Sequence, residues 1–318
     1  MVKSEEIYSQ NIQDQLPLFH QSWWLDVVAK SSWNYIIESE ENNTFCILPY
    51  LVKRKFGFRF FGMPSYTPFL GPVIISHEDK SEAKLELIRS LLSQLPGYHM
   101  FKQNMIIDEG NLKIFEEDGF RLSERVTYKV LTEVPKKYLW EKISSTRRRR
   151  IIRGEEKLEI REDKRVTELI KIQEKTFSRK GIKPPQSLEI LKKLVYKSME
   201  MNSGILLMAG SKNDPNDCQA AGFFVWDRYT MYYIAGGYDD SDQKGEAMSL
   251  LLWNGILLAK EKNLTFDFEG SMVPGIAEFF RSFGSEASTY YQVVKVKPSL
   301  LKFYFFLRGI FQNHDSLG

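Results

Sequence analysis

The sequence predicts a mixed α/β (α+β) protein built from two copies of one domain, and three observations carry that reading. Two short helices stopped by glycine, at Gly119 and Gly284, stand 165 residues apart (284 − 119 = 165). The ends of two longer helices, Gln94 and Ala259, keep the same spacing (259 − 94 = 165). The elements around them also follow one order: paired strands, a long helix, a strand, a short helix and a closing strand. A repeat of this length is a duplicated domain, not a solenoid of short units. The boundary is placed at residues 1–135 and 136–318.

In the first copy, "NTFCILPYLVKRKFGFRFFGMPSYTPFLGPVII" gives a strand pair turning at Gly57. "KSEAKLELIRSLLSQL" has the spacing of an amphipathic helix, "YHMFKQN" reads as a strand, "NLKIFEEDGF" as a short helix and "RLSERVTYKVLTE" as a closing strand. The joining segment "VPKKYLWEKISSTRRRRIIRGEEKLEI" is helical and basic, and two more helices follow, "VTELIKIQEKTFSRKG" and "SLEILKKLVYKSME". The second copy then runs "CQAAGFFVWDRYTMYYIAGGYDD", "KGEAMSLLLWNGILLAKEKN", "LTFDFEG", "GIAEFFRSFG" and "SEASTYYQVVKVK". Its long helix is apolar on most of its circumference between Ala247 and Ala259, which predicts burial under other layers.

Composition narrows the function. With 318 residues, 43% hydrophobic, and a net charge of only +3, the chain has a globular profile and no basic field that calls for DNA. Two distant cysteines (Cys46, Cys218) and four histidines argue against a disulfide framework and against a metal site. No run approaches the ~20 apolar residues that span a bilayer, and the N-terminus lacks a signal-peptide core. The expectation is a soluble protein of the cytoplasm with no tightly bound cofactor.

Chemistry concentrates in "FDFEGSMVPGIAEFFRSFG". Asp267 and Glu269 are two residues apart on a strand and share a face while the strand lasts. Glu269, nearest the strand end, is the candidate base, with Ser271 beside it toward an acceptor; an ion pair or a helix cap is the structural alternative. Tyr238, just past a double glycine, is the candidate proton donor. In "GGYDDSDQKGEAMSL", Lys244 and Gly245 open a helix where free amides favour an anion, with Asp242 and Gly245 as a plain helix cap the simpler alternative. Arg149 and Arg153 on the basic helix, and Arg179 on the next, are cations suited to an acceptor's phosphates or to a solvated surface. Trp226 is a candidate groove wall. The aromatic tail "SLLKFYFFLRGIF" packs into a core or lies on a membrane surface near its substrate.

Several motifs resemble known families. Asp242-Gln-Lys-Gly245-Glu-Ala247 is similar to the back half of the coenzyme A pyrophosphate motif of GNAT acetyltransferases. "AEFFRSFGSE" resembles the GNAT segment whose tyrosine serves as general acid, with Phe280 at that position. "TRRRRIIR", "EKTFSRKGI" (Thr176, Arg179, Gly181), "GMPSYTPFLGPVI", "FDFEG" and "FFRSFG" in that order resemble the FemABX-like transferases. The resemblance implies two tandem GNAT-like (acyl-CoA N-acyltransferase fold) domains, the first structural and the second carrying the site. It implies transfer of an acyl or aminoacyl group, from aminoacyl-tRNA or acyl-CoA, to an amine of a peptidoglycan precursor or similar polar acceptor. Donor contacts would fall to Lys244, Gly245 and Arg281. An acyl-CoA-dependent N-acetyltransferase and an inactive binding protein that kept the fold are the alternatives.

Overall fold

A computed structural model describes residues 13, 15–40, 44–55, 57–75, 81–179, 181, 187–242, 244–270 and 272–297. The described residues fall into two units, one drawn from Met1–Arg125 and Thr289–Gly318, the other from Val126–Ser288. In chain order, the first unit contributes α1 (Ser22–Ala29), β1 (Trp33–Glu40), β2 (Thr44–Lys55), β3 (Phe58–Gly62), β4 (Val73–Ile75), α2 (Ser81–Ser93), β5 (Met100–Met105) and α3 (Glu109–Glu117). Strand β6 (Arg121–Val130) begins there and ends in the second unit. Next come α4 (Lys136–Lys142), α5 (Ser145–Lys157), β7 (Leu158–Glu162), α6 (Val166–Arg179), α7 (Leu188–Glu200), β8 (Gly204–Ser211), β9 (Ala220–Trp226) and β10 (Thr230–Tyr238). The chain closes with α8 (Glu246–Glu261), β11 (Thr265–Asp267), α9 (Pro274–Arg281) and β12 (Glu286–Val296).

The two units repeat one topology. In the first, β1, β2 and β3 pair antiparallel, β3 and β5 parallel, and β5 and β12 antiparallel. In the second, β8, β9 and β10 pair antiparallel, β10 and β11 parallel, and β11 and β6 antiparallel, with β7 added outside β8. The 165-residue spacing holds at every element start in this region: 81 to 246, 100 to 265, 109 to 274 and 121 to 286. Both short helices end on a left-handed glycine, Gly119 at φ 78° and Gly284 at φ 79°, a conformation that costs glycine little.

The last strands are exchanged. β6 follows α3 in the chain, yet Lys129 and Val130 pair with β11; β12 follows α9, yet Tyr291–Val296 pair with β5. The unit division therefore falls at Arg125/Val126 instead of 135/136, and the residues after Ser288 return to the first unit. Each closing strand is supplied by the other half of the sequence.

Helix α8 is the centre of the second unit. Ala247, Leu250, Leu251, Leu252, Ile256 and Ala259 are all buried, and the helix packs on β8, β9, β10 and α5. The α5 crossing depends on Gly154, whose Cβ would meet the Glu246 carbonyl oxygen at 3.1 Å. Phe266, Phe268, Phe280 and Phe283 fill the floor beneath it. Among the described residues, no helix is long and apolar enough to cross a membrane, and no group of three or more His, Cys, Asp or Glu could hold a metal ion.

Candidate functional site

Strand β11 pairs with β10 over only three positions, Thr230–Tyr232 against Thr265–Asp267. β10 then continues to Tyr238 alongside β9, with a register shift between Tyr233 and Ala235. Beyond Tyr232 no described strand flanks β10 on the β11 side. A parallel pair that parts in mid-sheet opens a wedge, and the chain leaving β11 forms one wall of it.

That wall is Phe268-Glu269-Gly270. The Phe268 amide donates to the Tyr128 carbonyl at 2.9 Å, continuing the β6 ladder one step. Glu269 is then left-handed, φ 53°, a conformation uncommon outside glycine. The turn ends the strand alternation, so the shared-face rule stops at Asp267. Gly270 lies hard against β6: a Cβ there would sit 2.5 Å from Thr127 Cα and closer still to the Val126 carbonyl oxygen. Close approach to β6 explains this glycine.

The two carboxyls differ in their partners. Asp267 is fully buried; its Oδ1 accepts from the Thr127 hydroxyl and from the Glu269 amide at 2.8 Å, and its Oδ2 lies 3.9 Å from Lys129 Nζ. Burial pushes its pKa up, against the pull of Thr127 and Lys129. Glu269 is half-buried, with its Oε1 closed to solvent and without a hydrogen-bond partner among the described residues. Burial first, then the like charge of Asp267, holds this carboxyl well above the ordinary carboxylate range. Tyr232, opposite Asp267 on β10, is buried and feels both acids, and its phenol is pushed far up chiefly by burial. A carboxylate whose pKa is raised holds a proton more tightly than an ordinary one and is the stronger base.

The start of α8 is arranged differently from a phosphate cradle. Asp242 is buried, and its two carboxylate oxygens accept from the amides of Ala247 and Met248, each at 3.0 Å. Gly245 caps the helix at φ 67°, and Lys244 is exposed. The amides that would receive a pyrophosphate are thus already bound to a carboxylate, and an added anion would meet like charge. These residues do not fit coenzyme A phosphates.

The remaining candidates are scattered. Tyr238 is exposed at the end of β10, six residues and roughly 20 Å at strand rise beyond Tyr232. The Arg179 guanidinium lies 4.4 Å over its ring, pairs with Asp240 at 2.9 Å and donates to the Tyr238 carbonyl, so it is committed to bracing the end of β10. Trp226 is half-buried under Lys262 Nζ, 4.4 Å from the ring centre. Arg281 donates to the Tyr128 hydroxyl at 3.2 Å, close to the Phe268 end of the wedge. Phe280 is core, stacked on Phe268 at 4.7 Å. Ser271 and the tail residues 299–311 lie outside the described residues.

Arg149 and Arg153 are exposed on α5. The buried arginine of that helix is Arg147, which donates to Ser282 Oγ at 3.0 Å and Ser249 Oγ at 2.7 Å and stacks on Phe279 and Phe283. Burial lowers its pKa to about 10. The sequence groups Arg147 to Arg150 and Arg153 as one cationic helix face, whereas Arg147 turns inward with Ile151 and Gly154. Sequence reasoning missed Thr127, which shares its strand face with Arg125 and Lys129 and reads there as one more polar position.

The first unit carries no counterpart of the acid pair. At the 165-residue spacing, Lys102 and Asn104 stand for Asp267 and Glu269. Asn104 is fully engaged: its Nδ2 donates to the Pro68 carbonyl, its Oδ1 accepts from Gln292, and its carbonyl accepts from the Leu70 amide at 2.7 Å. The Met63–Gly71 segment thus lies along β5 where the second unit opens its wedge.

No protein-family model matches the sequence, and no curated protein does. Solved structures do. FemX superposes with a TM-score of 0.70 at 10% identity, over 90% of this chain and 94% of that one. A domain named as the C-terminal part of a lysylphosphatidylglycerol synthetase from Agrobacterium fabrum gives 0.55 at 10% identity, covering 96% of each chain. The L-PGS structure from Bacillus licheniformis gives 0.54 at 13% identity, over 87% of this chain and 88% of that one. The likeness shows the fold alone: the chain is similar in fold to FemX, in the mixed α/β class expected from its sequence.

Proposed function

We propose that the protein is an acyltransferase of the FemX/GNAT type that forms an amide at the wedge between β10 and β11. The observation that carries this reading is the Glu269 carboxyl: at the wedge, unpartnered at Oε1, and of raised pKa. An acceptor ammonium gives one proton to Glu269 and becomes nucleophilic. Its nitrogen attacks the donor's carbonyl carbon, the C–N bond forms, and the tetrahedral oxyanion collapses with loss of the donor's alkoxide. The nitrogen's second proton goes to that leaving oxygen. Holding both reactants in line supplies most of the acceleration in such a reaction, since no covalent enzyme intermediate is needed.

The donor in this reading is an aminoacyl ester such as aminoacyl-tRNA, because Asp242 fills the place where coenzyme A would put its pyrophosphate. The acceptor is an amine of a cell-envelope precursor, in the cytoplasm; exposed Arg149 and Arg153 could meet its phosphates. Names such as FemX and lysylphosphatidylglycerol synthetase among proteins of this fold favour aminoacyl chemistry. A binding protein that kept the fold is the rival, favoured by Phe280 standing in the core where related transferases place an acid.

The test is transfer from radiolabelled aminoacyl-tRNA, and separately from acetyl-CoA, to a panel of amine acceptors that includes a peptidoglycan-precursor peptide. We expect label transfer from the ester donor alone, and its loss in Glu269→Gln. Full activity in that variant removes Glu269 as base. Absence of transfer from either donor leaves the binding protein as the better reading.

A further inference from the structure

Two amides bracket Glu269, its own and that of Gly270. Both are held by one side-chain chain. The Gly270 amide donates to Thr127 Oγ1 at 2.9 Å, the Thr127 hydroxyl donates to Asp267 Oδ1, and the same Oδ1 accepts from the Glu269 amide at 2.8 Å. A left-handed glutamate is a strained conformation that persists where its surroundings over-determine it. Here the determinants come from a different strand, β6, and from the last residue of β11. A solvated surface turn would need neither a buried aspartate nor a buried threonine.

We infer that Thr127 and Asp267 are the positioning residues of this site, locking the backbone on both sides of Glu269 and so aiming its carboxyl into the wedge. The inference rests on the reading of Glu269 as the base. Thr127 serves as a relay: its single hydroxyl accepts from one amide and donates to the carboxylate that takes the other. Valine has the same shape but can do neither, whereas serine keeps both.

Asp267 has a second effect. Its charge lies within electrostatic reach of Glu269 and raises that carboxyl further than burial alone. The charged and titratable groups facing the pair are Lys129 on β6 and Tyr232 on β10, with Asp227 acting on Tyr232 from the β9–β10 turn. Lys129 partly offsets Asp267. Removing the Asp267 charge must therefore lower the Glu269 midpoint, while burial keeps it above that of an ordinary glutamate.

The experiment reads both effects without any substrate. Hydrogen exchange at the Gly270 amide is compared in the native protein, Thr127→Ser and Thr127→Val, each assigned by NMR. We expect protection in the first two and at least about tenfold faster exchange in the valine variant, the worth of roughly one lost hydrogen bond. The Glu269 carboxyl, labelled with carbon-13 and assigned by Glu269→Gln, is titrated in the native protein and in Asp267→Asn. Its midpoint should fall in the variant. An unprotected Gly270 amide in the native protein overturns the inference even if Thr127→Val fails to fold, and so does an unmoved Glu269 midpoint. Activity of Glu269→Gln tests the catalytic reading separately, so failure of one is not failure of the other.

Discussion

Replacing Gly270 by alanine adds one methyl group where the structure has no room for it. The new Cβ would stand 2.5 Å from Thr127 Cα and nearer still to the Val126 carbonyl oxygen, whereas carbon–carbon contacts settle at about 3.5–4.0 Å. Backbone cannot rotate away as a side chain can, so β6 or the Glu269 turn must move by about an ångström. Overpacking of this kind costs about 1–3 kcal/mol, and loss of the Gly270–Thr127 hydrogen bond adds about 1 kcal/mol. The sum, about 2–4 kcal/mol, lowers the melting temperature by roughly 5–15 °C for a unit of this length. Gly275→Ala is the matched control, because nothing lies within 4 Å of its Cβ position and it sits in the first turn of α9. There alanine should be neutral or stabilising by up to about 1 kcal/mol. Thermal and urea melts of both variants decide the matter. Equal melting temperatures would refute the claim that Gly270 is dictated by the approach of β6.

Two further outcomes follow from buried groups. His20 donates from Nε2 to the Gly71 carbonyl at 2.9 Å, and burial lowers its pKa to about 4. The unfolded chain takes up the proton first, at about pH 6.5, so this contribution is complete above that pH and is lost as pH falls toward 4. The loss amounts to about 3 kcal/mol. His20→Gln should flatten the melting curve across that window, and parallel curves would dismiss the effect. Arg147→Lys keeps the charge but not the fork that reaches Ser249 and Ser282 or the flat face on Phe279. It should cost about 2–3 kcal/mol in a denaturant melt, against less than about 0.5 for the exposed Arg149→Lys; equal costs would leave Arg147 without a structural role.

The repeat was legible because spacing survives divergence. Gly119 and Gly284 mark the same left-handed helix end, and the offset they define carries through four element starts. Helix α8 was legible as well, since an all-round apolar helix has only one place to go. The exchange of β6 and β12 was not, because sequence order ranks elements along the chain without saying which edge each one joins. At the site, the acid pair announced itself by standing in an apolar strand. Its control did not: Thr127 lies 140 residues away in the chain, and only folding brings its hydroxyl to Asp267. Asp242 was correctly weighed as a cap. Helical periodicity separates Arg147 from the exposed Arg149 and Arg153 and sets it with Ile151 and Gly154 on the inward face.

The exchanged strands also impose a schedule on synthesis. When β5 leaves the ribosome, the strand that closes its open edge has not been made. Tyr291 follows Met105 by 186 positions in the chain (291 − 105 = 186), or about 10–40 s at common elongation rates. Through that interval the first half holds an unpaired edge beside Phe101, Phe115 and Phe120, a combination prone to pairing with neighbouring chains. The second half has no such wait, because β6 is already in hand when β11 appears. Order of completion is thus the reverse of order of translation: the later-made unit finishes first, and its final strand then completes the earlier one.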